Sequence, residues 1–360
     1  MKPASIEELQ EIIRSQACIA PIGGGSKSGL VPQADGVTPV SSAGLSGMLE
    51  YQPQEYTFTA LAGTPVAEVE SILSEHGQYL MFDPALVQAG ATLGGTVAAG
   101  LSGPGRYRYG GVRDALLGVR FVDGQGNLVR AGGKVVKNAA GFDLPKFMVG
   151  SLGGYGYLVE LSFKVMPSPA AWATQQARYS SLGLALETLV RLTRQPLEIY
   201  TLDMQPDNNG QWLIVIRLGG AVASLPARLE RLRSVLGDVP VDILEGDADQ
   251  ELWREAAEFS WVPPDWSLVK VPLTPKRVLA LDEELQANSA QRVYSVGANQ
   301  AWVAWPGELV VLDAILAKQE LSGLVILGAA VKPRLGLRNG DSFARRIKQA
   351  LDPQGKFPTL

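Results

Sequence analysis

The stretch of sequence that decides the fold runs from Gly90 to Pro167 and reads GATLGGTVAAGLSGPGRYRYGGVRDALLGVRFVDGQGNLVRAGGKVVKNAAGFDLPKFMVGSLGGYGYLVELSFKVMP. It holds nearly half of the protein's 40 glycines, which alternate with short β-like runs at Leu117–Val122, Leu128–Arg130 and Leu158–Val165. Glycine in an ordered segment usually marks a positive φ or a close approach of the backbone to another group. The pattern predicts main chain packed directly on a large, flat ligand, with a turn-rich β domain as the alternative explanation.

A second glycine-rich segment lies upstream at Pro21–Gly29 (PIGGGSKSG), directly after a short apolar run at Ala17–Ala20. Its backbone N–H groups and hydroxyls suit a phosphate or diphosphate. The segment is not a P-loop, because Gly-Lys-Ser/Thr is absent at the required spacing. It is not a Rossmann fingerprint either, because Ser28 occupies the third glycine position. Together, the two glycine-rich stretches strengthen the prediction of a phosphate-bearing ligand.

Four motifs, in this order, resemble the FAD-binding domain of the vanillyl-alcohol oxidase superfamily, the p-cresol methylhydroxylase (PCMH) type. They are the loop at Pro21–Gly29, GATLGGTV at 90–97, KNAAGFDL at 137–144 and GSLGGYGYLVE at 150–160. A further segment, SGPGRYRYGGVRD at 102–114, is similar to the FAD-binding E subunits of bacterial glycolate oxidases, whose length also fits the whole chain.

The resemblance implies which residues contact FAD. They are Ile22, Gly23, Gly24, Gly25, Ser26, Lys27, Ser28, Gly29, Thr92, Gly94, Gly95, Thr96, Ser102, Gly103, Gly153, Gly154, Gly156, Tyr157 and Leu158. In the KNAAGFDL motif we expect a structural role instead. Asp143 is predicted to cap the segment that begins at Leu144.

Three arginines follow the second motif, at Arg106, Arg108 and Arg113, with tyrosines between the first two and after the second. Arginines beside a flavin can hold a substrate carboxylate through bidentate hydrogen bonds or stabilise the anionic reduced ring. An exposed basic loop or a subunit contact is an equally good explanation, and the sequence leaves the two open.

We predict an α+β fold: a two-subdomain FAD-binding PCMH-type domain followed by an α+β cap domain with an antiparallel sheet. Pro167-Ser168-Pro169 marks the boundary between them, because composition changes there and helical periodicity becomes clearer. The predicted domains are 1–167 for FAD, 168–330 for the cap and substrate, and 331–360 for a segment that returns to the FAD domain. This last segment ends in Phe357-Pro358-Thr359, where the family usually has Asn-Pro-Gly, and that puts a flavin contact from it in doubt.

The single histidine and the single cysteine limit the chemistry. His76 is expected near a helix C-terminus, where an imidazolium interacts favourably with the helix dipole. In relatives with covalent flavin the attachment histidine lies in or near the phosphate loop, which has none here, so we predict non-covalent FAD. One cysteine, Cys18, cannot form an intrachain disulfide or a four-cysteine iron–sulfur site, and we predict no metal site.

The bulk composition excludes other classes of protein. A net charge of −4 argues against nucleic-acid binding, because no basic field would attract phosphate. No apolar run approaches the ~20 residues that span a bilayer, and the N-terminal residues form an amphipathic pattern instead of a secretory segment. We expect a cytoplasmic location, with any membrane association arising through partners.

Oxidation of a 2-hydroxy acid needs a flavin, a cation for the carboxylate and a base for the hydroxyl proton. The sequence offers the first two, but no base is evident. The hypothesis is therefore an FAD-dependent oxidoreductase acting on CH–OH groups as a subunit of a glycolate oxidase complex, which yields glyoxylate and passes electrons to a partner. The expected partners are the small 2-hydroxy acid, a second flavin subunit and an iron–sulfur subunit. The alternatives are a stand-alone 2-hydroxy-acid dehydrogenase of the D-lactate type and a non-catalytic assembly subunit.

Overall fold

The computed structural model describes residues 1–31, 36–133, 143–330, 332–338 and 340–358. The chain folds as two units. The first unit comprises Met1–Gly103, Gly110–Ser168 and Asn339–Leu360, and the second comprises Pro104–Tyr109 and Pro169–Arg338. Assignment of these units to FAD and to a cap stays a prediction. The motif residues Lys137 and Asn138 lie outside the described part of the chain.

The strands and helices of the described residues are as follows. The strands are β1 Ile19–Ile22, β2 Thr38–Ser41, β3 Met48–Gln52, β4 Thr57–Leu61, β5 Gln78–Tyr79, β6 Leu116–Val122, β7 Leu128–Gly132, β8 Tyr157–Lys164, β9 Met166–Pro167, β10 Ala171–Tyr179, β11 Ile199–Pro206, β12 Trp212–Gly220, β13 Val241–Glu245, β14 Ser267–Pro272, β15 Gln291–Ser295, β16 Gln300–Trp305, β17 Ser322–Leu327 and β18 Arg334–Gly336. The helices are α1 Ile6–Ser15, α2 Val66–Ser74, α3 Leu93–Ala99, α4 Arg106–Tyr109, α5 Val112–Ala115, α6 Leu144–Met148, α7 Leu182–Thr193, α8 Leu225–Leu236, α9 Asp247–Glu258, α10 Val278–Ala287, α11 Leu309–Lys318 and α12 Asp341–Leu351.

The first unit is built on an antiparallel sheet with the strand order β3-β4-β8-β6-β7 among the described residues. A hairpin joins β6 and β7, with Val122 paired to Leu128. Its turn is held by Asp123, whose Oδ1 accepts hydrogen bonds from the N–H groups of Gln125 (2.8 Å) and Asn127 (2.9 Å). A separate parallel pair, β1 and β2, carries the glycine-rich loop at its end.

Helix α1 anchors that parallel pair. Ser5 caps the helix, because its side chain accepts a hydrogen bond from the Glu8 N–H at 3.1 Å. Leu9 and Ile13 are fully buried on one face of α1 and pack in a cluster with β1, β2 and the start of β8. The start of β1, at Ile19, is therefore held by a hydrophobic core.

The second unit contains a sheet with the strand order β13-β10-β12-β11-β15-β16-β14-β17-β18 among the described residues, and all its pairings are antiparallel. Side chains alternate between its two faces. Val269 and Val271 of β14 lie in the main core of the unit, so Lys270 between them is on the opposite face. The predicted α+β class with an antiparallel sheet is confirmed.

Candidate cofactor site

A cleft in the first unit gathers most of the residues that the sequence assigns to a cofactor. It contains about 800 Å³ of space free of protein atoms, part of it open to solvent. The lining residues are Pro21, Ile22, Gly23, Gly24, Gly25, Ser26, Lys27, Leu30, Val31, Ser42, Ala62, Thr92, Gly94, Gly95, Ala98, Ala99, Leu152, Gly153, Gly156, Tyr157 and Leu158.

The first wall of the cleft is the loop after β1, and it needs glycine because it packs on other backbone. A Cβ atom on Gly24 would collide with the carbonyl oxygen of Gly90. A Cβ atom on Gly23 would collide with Oγ1 of Thr92. The loop therefore lies against the segment before α3 at a distance that no side chain permits, and its own backbone is left facing the cleft.

The second wall is the first turn of α3. Thr92 caps the helix by accepting a hydrogen bond from the Gly95 N–H at 3.2 Å. The N–H of Gly94 donates to the carbonyl of Ala62 at 2.7 Å, and a Cβ atom on Gly94 would lie 2.9 Å from the Ala62 side chain. Because Gly94 has no side chain, α3 packs directly on the strand end that carries Ala62.

The third wall is the turn before β8. The N–H of Leu152 donates to the Ala98 carbonyl at 2.8 Å, which ties the turn to the end of α3. Gly153 has a φ of +75° and packs against Pro21. Burial raises the pKa of Tyr157, whose hydroxyl donates to the Val40 carbonyl at 3.2 Å, so this side chain is a neutral structural phenol.

The polar side chains of the cleft fit an anionic cofactor. Lys27 is 7% exposed and its Nζ donates to Ser26 Oγ at 3.2 Å. Ser42 is 6% exposed, and its Oγ has no hydrogen-bond partner among the described residues. A buried hydroxyl without a partner is unfavourable unless a ligand or water supplies one. A diphosphate-containing cofactor requires such groups: a cation, an unsatisfied hydroxyl and exposed backbone amides.

The remaining predicted contacts lie outside the lining. They are Ser28, Gly29, Thr96, Ser102, Gly103 and Gly154. Two of them have evident structural partners: the Val112 N–H donates to Ser102 Oγ at 2.9 Å, and the Gly103 N–H donates to the Asp83 carbonyl at 2.6 Å. A direct contact of these residues with the cofactor stays a prediction.

Sequence reasoning did not find several lining residues. They are Pro21, Leu30, Val31, Ser42, Ala62, Ala98, Ala99 and Leu152. Six of them lie within four residues of a predicted glycine. Ser42 and Ala62 carry no such signal, because they reach the cleft only through the pairing of β2 with β1 and the packing of α3 on the end of β4.

The three predicted arginines do not share one environment. Arg113 is an exposed residue of the first unit. In the second unit, Arg108 forms an ion pair with Glu198 at 2.9 Å. Its guanidinium carbon lies 5.9 Å from the Tyr200 ring centre. Arg106, also in the second unit, donates from Nη1 to Gln300 Oε1 at 3.3 Å.

Near Arg106 lies a lysine that sequence reasoning had no means to single out. Lys270 pairs with Trp302 across β14 and β16, so Gln300 is its diagonal neighbour on the same face. Burial and the charge of Arg106 lower the pKa of Lys270 to about 8. A lysine with such a pKa is partly neutral near physiological pH and able to accept a proton.

Other candidate sites have less support in the structure. The described residues contain no cluster of three or more histidine, cysteine, aspartate or glutamate side chains that could hold a metal ion. His76 packs edge-on against Tyr51, with ring centres 5.2 Å apart. Within the same described ranges, no helix is long and apolar enough to cross a membrane.

Comparison with solved structures defines the class of protein. p-Cresol methylhydroxylase matches 99% of this chain and 88% of its own, with a TM-score of 0.78 at 14% identity, which is a likeness of fold. A family model described as an FAD binding domain matches residues 1–132. The fold is thus that of the PCMH-type flavoproteins and the cofactor is FAD, as predicted.

Comparison with curated proteins identifies the family. Glycolate oxidase subunit GlcE of Escherichia coli (strain K12) is 38% identical over 363 residues, which cover 98% of this chain and 95% of the relative. Glycolate oxidase subunit GlcD of Bacillus subtilis (strain 168) is 26% identical over 69% of this chain and 53% of its own length. The chain belongs to the GlcE family and is an FAD-dependent oxidoreductase, as predicted.

Proposed function

We propose that the protein is the FAD-binding subunit of a glycolate oxidase complex that converts glycolate to glyoxylate and passes the electrons through FAD to a partner. The observation that carries this proposal is the likeness to GlcE along nearly the whole of both chains. The cleft supports it because its walls are built from the segments that the sequence assigns to FAD.

FAD supplies the two-electron acceptor for the hydride that leaves the α-carbon of glycolate, while the hydroxyl proton passes to a base. The chain's own contribution is to bind and orient the cofactor. The backbone of Gly23–Gly25 and the ammonium of Lys27 would hold its diphosphate, and Ser42 Oγ would supply a further hydrogen bond. The turn at Gly153–Gly156 completes the wall beside Tyr157.

The partners follow from the same family relationship. GlcE and GlcD are both named as subunits of glycolate oxidase, which supports a second flavin subunit beside this chain. An iron–sulfur subunit is the proposed electron acceptor, because this sequence has one cysteine and cannot ligate a four-cysteine cluster by itself. We propose that the second unit is the cap or substrate domain.

A second candidate function is favoured by Arg106, Lys270 and Gln300. Lys270 and Gln300 lie on the face of the second unit's sheet opposite its main core, and Arg106 donates a hydrogen bond to Gln300. The guanidinium suits a substrate carboxylate, and the partly neutral amine of Lys270 is able to take the hydroxyl proton. These groups support a chain that oxidises a 2-hydroxy acid itself.

The test is the visible spectrum of the purified chain before and after anaerobic addition of glycolate. Flavin bands that acid precipitation removes from the protein are expected, because the proposed FAD is non-covalent. Bands that bleach only when the partner subunits are added support the complex. Bleaching by the isolated chain, lost in Lys270→Met, supports the second candidate. A chain that neither carries FAD nor regains it overturns both and leaves an assembly role.

A further inference from the structure

The residues that follow the second unit in sequence contact the segments that form the cofactor cleft. We call residues 340–358 the return segment; it consists of α12 and the turn after it. None of its residues lines the cleft. It nevertheless contacts β1, which leads into the first wall of the cleft, and the turn before β8, which is the third wall. Lys348 is the side chain that joins these contacts.

Lys348 uses three hydrogen bonds. Its Nζ donates to the carbonyl of Gly154 at 2.7 Å, to the carbonyl of Phe357 at 2.7 Å and to Asp352 Oδ2 at 2.6 Å. An ammonium group has three protons, so its donor capacity is used in full. The Asp352 side chain is fully buried and that of Lys348 is 16% exposed. The Lys348–Asp352 ion pair is therefore largely buried and ordered, unlike the flexible ion pairs of protein surfaces.

Asp352 orders the turn that brings Phe357 to this position. Its Oδ1 accepts a hydrogen bond from the Lys356 N–H at 2.7 Å and its Oδ2 accepts one from the Phe357 N–H at 2.9 Å. Phe357 is 1% exposed and packs in the cluster that contains Tyr157. The Lys356 carbonyl accepts from the Ile19 N–H at 2.7 Å, which attaches the return segment to β1.

The contact with Gly154 is the one that bears on the cofactor. Gly154 lies between the two lining glycines, Gly153 and Gly156. A peptide bond is planar, so fixing the Gly154 carbonyl also fixes the direction of the next N–H, that of Tyr155. Removal of Lys348 would take away the hydrogen bond that fixes this peptide plane, which belongs to the third wall of the cleft.

We propose that Lys348 is a positioning residue for FAD: by holding the Gly154 carbonyl it sets the turn at 153–156 in the conformation that the cofactor needs. The inference rests on the proposed function, since it places FAD in this cleft. It extends the cofactor site to a lysine that does not touch the cofactor.

The test compares three variants by fluorescence titration of the apoprotein with FAD. Lys348→Met removes the charge and the donors and is expected to raise the Kd for FAD at least tenfold. Lys348→Arg keeps a cationic donor and is expected to stay within about threefold of wild type. The matched control is Lys356→Met, because the Lys356 Nζ donates only to the Arg14 and Gln16 carbonyls among the described residues.

The control separates positioning from general stability. Both methionine variants should lower the thermal midpoint of the apoprotein, but Lys356→Met should leave the Kd within twofold of wild type. If Lys348→Met does not fold, Lys348→Gln, which has a shorter, uncharged side chain with two N–H donors, is measured by the same criterion. A folded Lys348→Met or Lys348→Gln protein with a wild-type Kd overturns the inference, as does a Lys356→Met protein that loses as much affinity. A wild-type chain that does not bind FAD overturns the proposed function instead, and this inference with it.

Discussion

Ser42→Ala provides a test in which two measurements are expected to differ in sign. Ser42 is 6% exposed, lines the cleft, and its Oγ has no partner among the described residues. In the apoprotein the hydroxyl therefore carries a desolvation cost of about 1–3 kcal/mol without a compensating hydrogen bond. Its removal should leave the apoprotein as stable as wild type or make it more stable.

The effect on FAD binding should be the opposite. A hydrogen bond from a hydroxyl to a charged group such as a phosphate contributes about 1.5–3 kcal/mol, and one to a neutral group about 1 kcal/mol. Since 1.4 kcal/mol is a factor of ten, Ser42→Ala should raise the Kd for FAD about fivefold for a neutral partner and roughly 10- to 100-fold for a phosphate. Fluorescence titration measures the Kd, and urea unfolding of the apoprotein measures the stability.

Ser151→Ala is the matched control. Ser151 is 4% exposed, its Oγ also has no partner within the described residues, and it does not line the cleft. The control should show the same effect on apoprotein stability with no change in the Kd. A Ser42→Ala protein that binds FAD as tightly as wild type would refute the reasoning, because Ser42 would then have no partner in either state.

Three further predictions follow from individual contacts. Gly24→Ala places a Cβ against the Gly90 carbonyl oxygen. It should lower the free energy of urea unfolding of the apoprotein by about 1–3 kcal/mol or more and weaken FAD binding. An unchanged urea midpoint would contradict the close packing of Gly24 on Gly90. For the substrate site proposed on the second unit, kcat/KM should rise as the pH passes about 8, because Lys270 must lose its proton to act as the base, and Lys270→Met should abolish this limb. Arg217→Met leaves the fully buried Asp249 without its cation and should lower the free energy of unfolding by about 3–5 kcal/mol. Arg178→Met, at a more exposed ion pair, should lower it by under about 1 kcal/mol. Equal losses of stability in the two variants would contradict this reasoning from burial.

The sequence predicts those elements whose signals are local. Helix α7 begins after Ser181, whose side chain caps it by accepting a hydrogen bond from the Leu184 N–H. Asp143 caps α6 as expected, because its side chain accepts a hydrogen bond from the Lys146 N–H at 3.3 Å. A cap and an apolar stripe act within a few residues, so a sequence pattern is enough to predict them.

Elements that depend on distant partners were not predicted. β10 has the sequence AWATQQARY, which offers no regular apolar alternation, yet it forms an inner strand between β12 and β13. Its polar residues are satisfied by tertiary contacts: Gln175 Nε2 donates to the Leu229 carbonyl at 3.0 Å, and Thr174 Oγ1 donates to Asp249 at 2.6 Å. Burial of these groups is favourable only when such partners exist, and no local pattern encodes them.

Helix α3 was not predicted for the opposite reason, because its glycines argue against a helix. Glycine in a helix interior costs about 1 kcal/mol relative to alanine. The structure supplies the reason for accepting that cost at Gly94, where a Cβ atom would lie 2.9 Å from both the side chain and the carbonyl oxygen of Ala62. At position 94, close packing of α3 against the end of β4 thus requires glycine, although glycine has a low helix propensity.

These contacts change the meaning of the glycine-rich pattern. From the sequence, many glycines predicted backbone packed directly on a ligand. In the structure, Gly23, Gly24 and Gly94 each face another protein segment at a distance that excludes a side chain, and Gly153 packs against Pro21. Most of the glycine requirement is therefore met before any cofactor binds. It follows that substitutions at these glycines should destabilise the apoprotein and weaken FAD binding as a consequence, whereas Ser42→Ala should weaken FAD binding without destabilising the apoprotein.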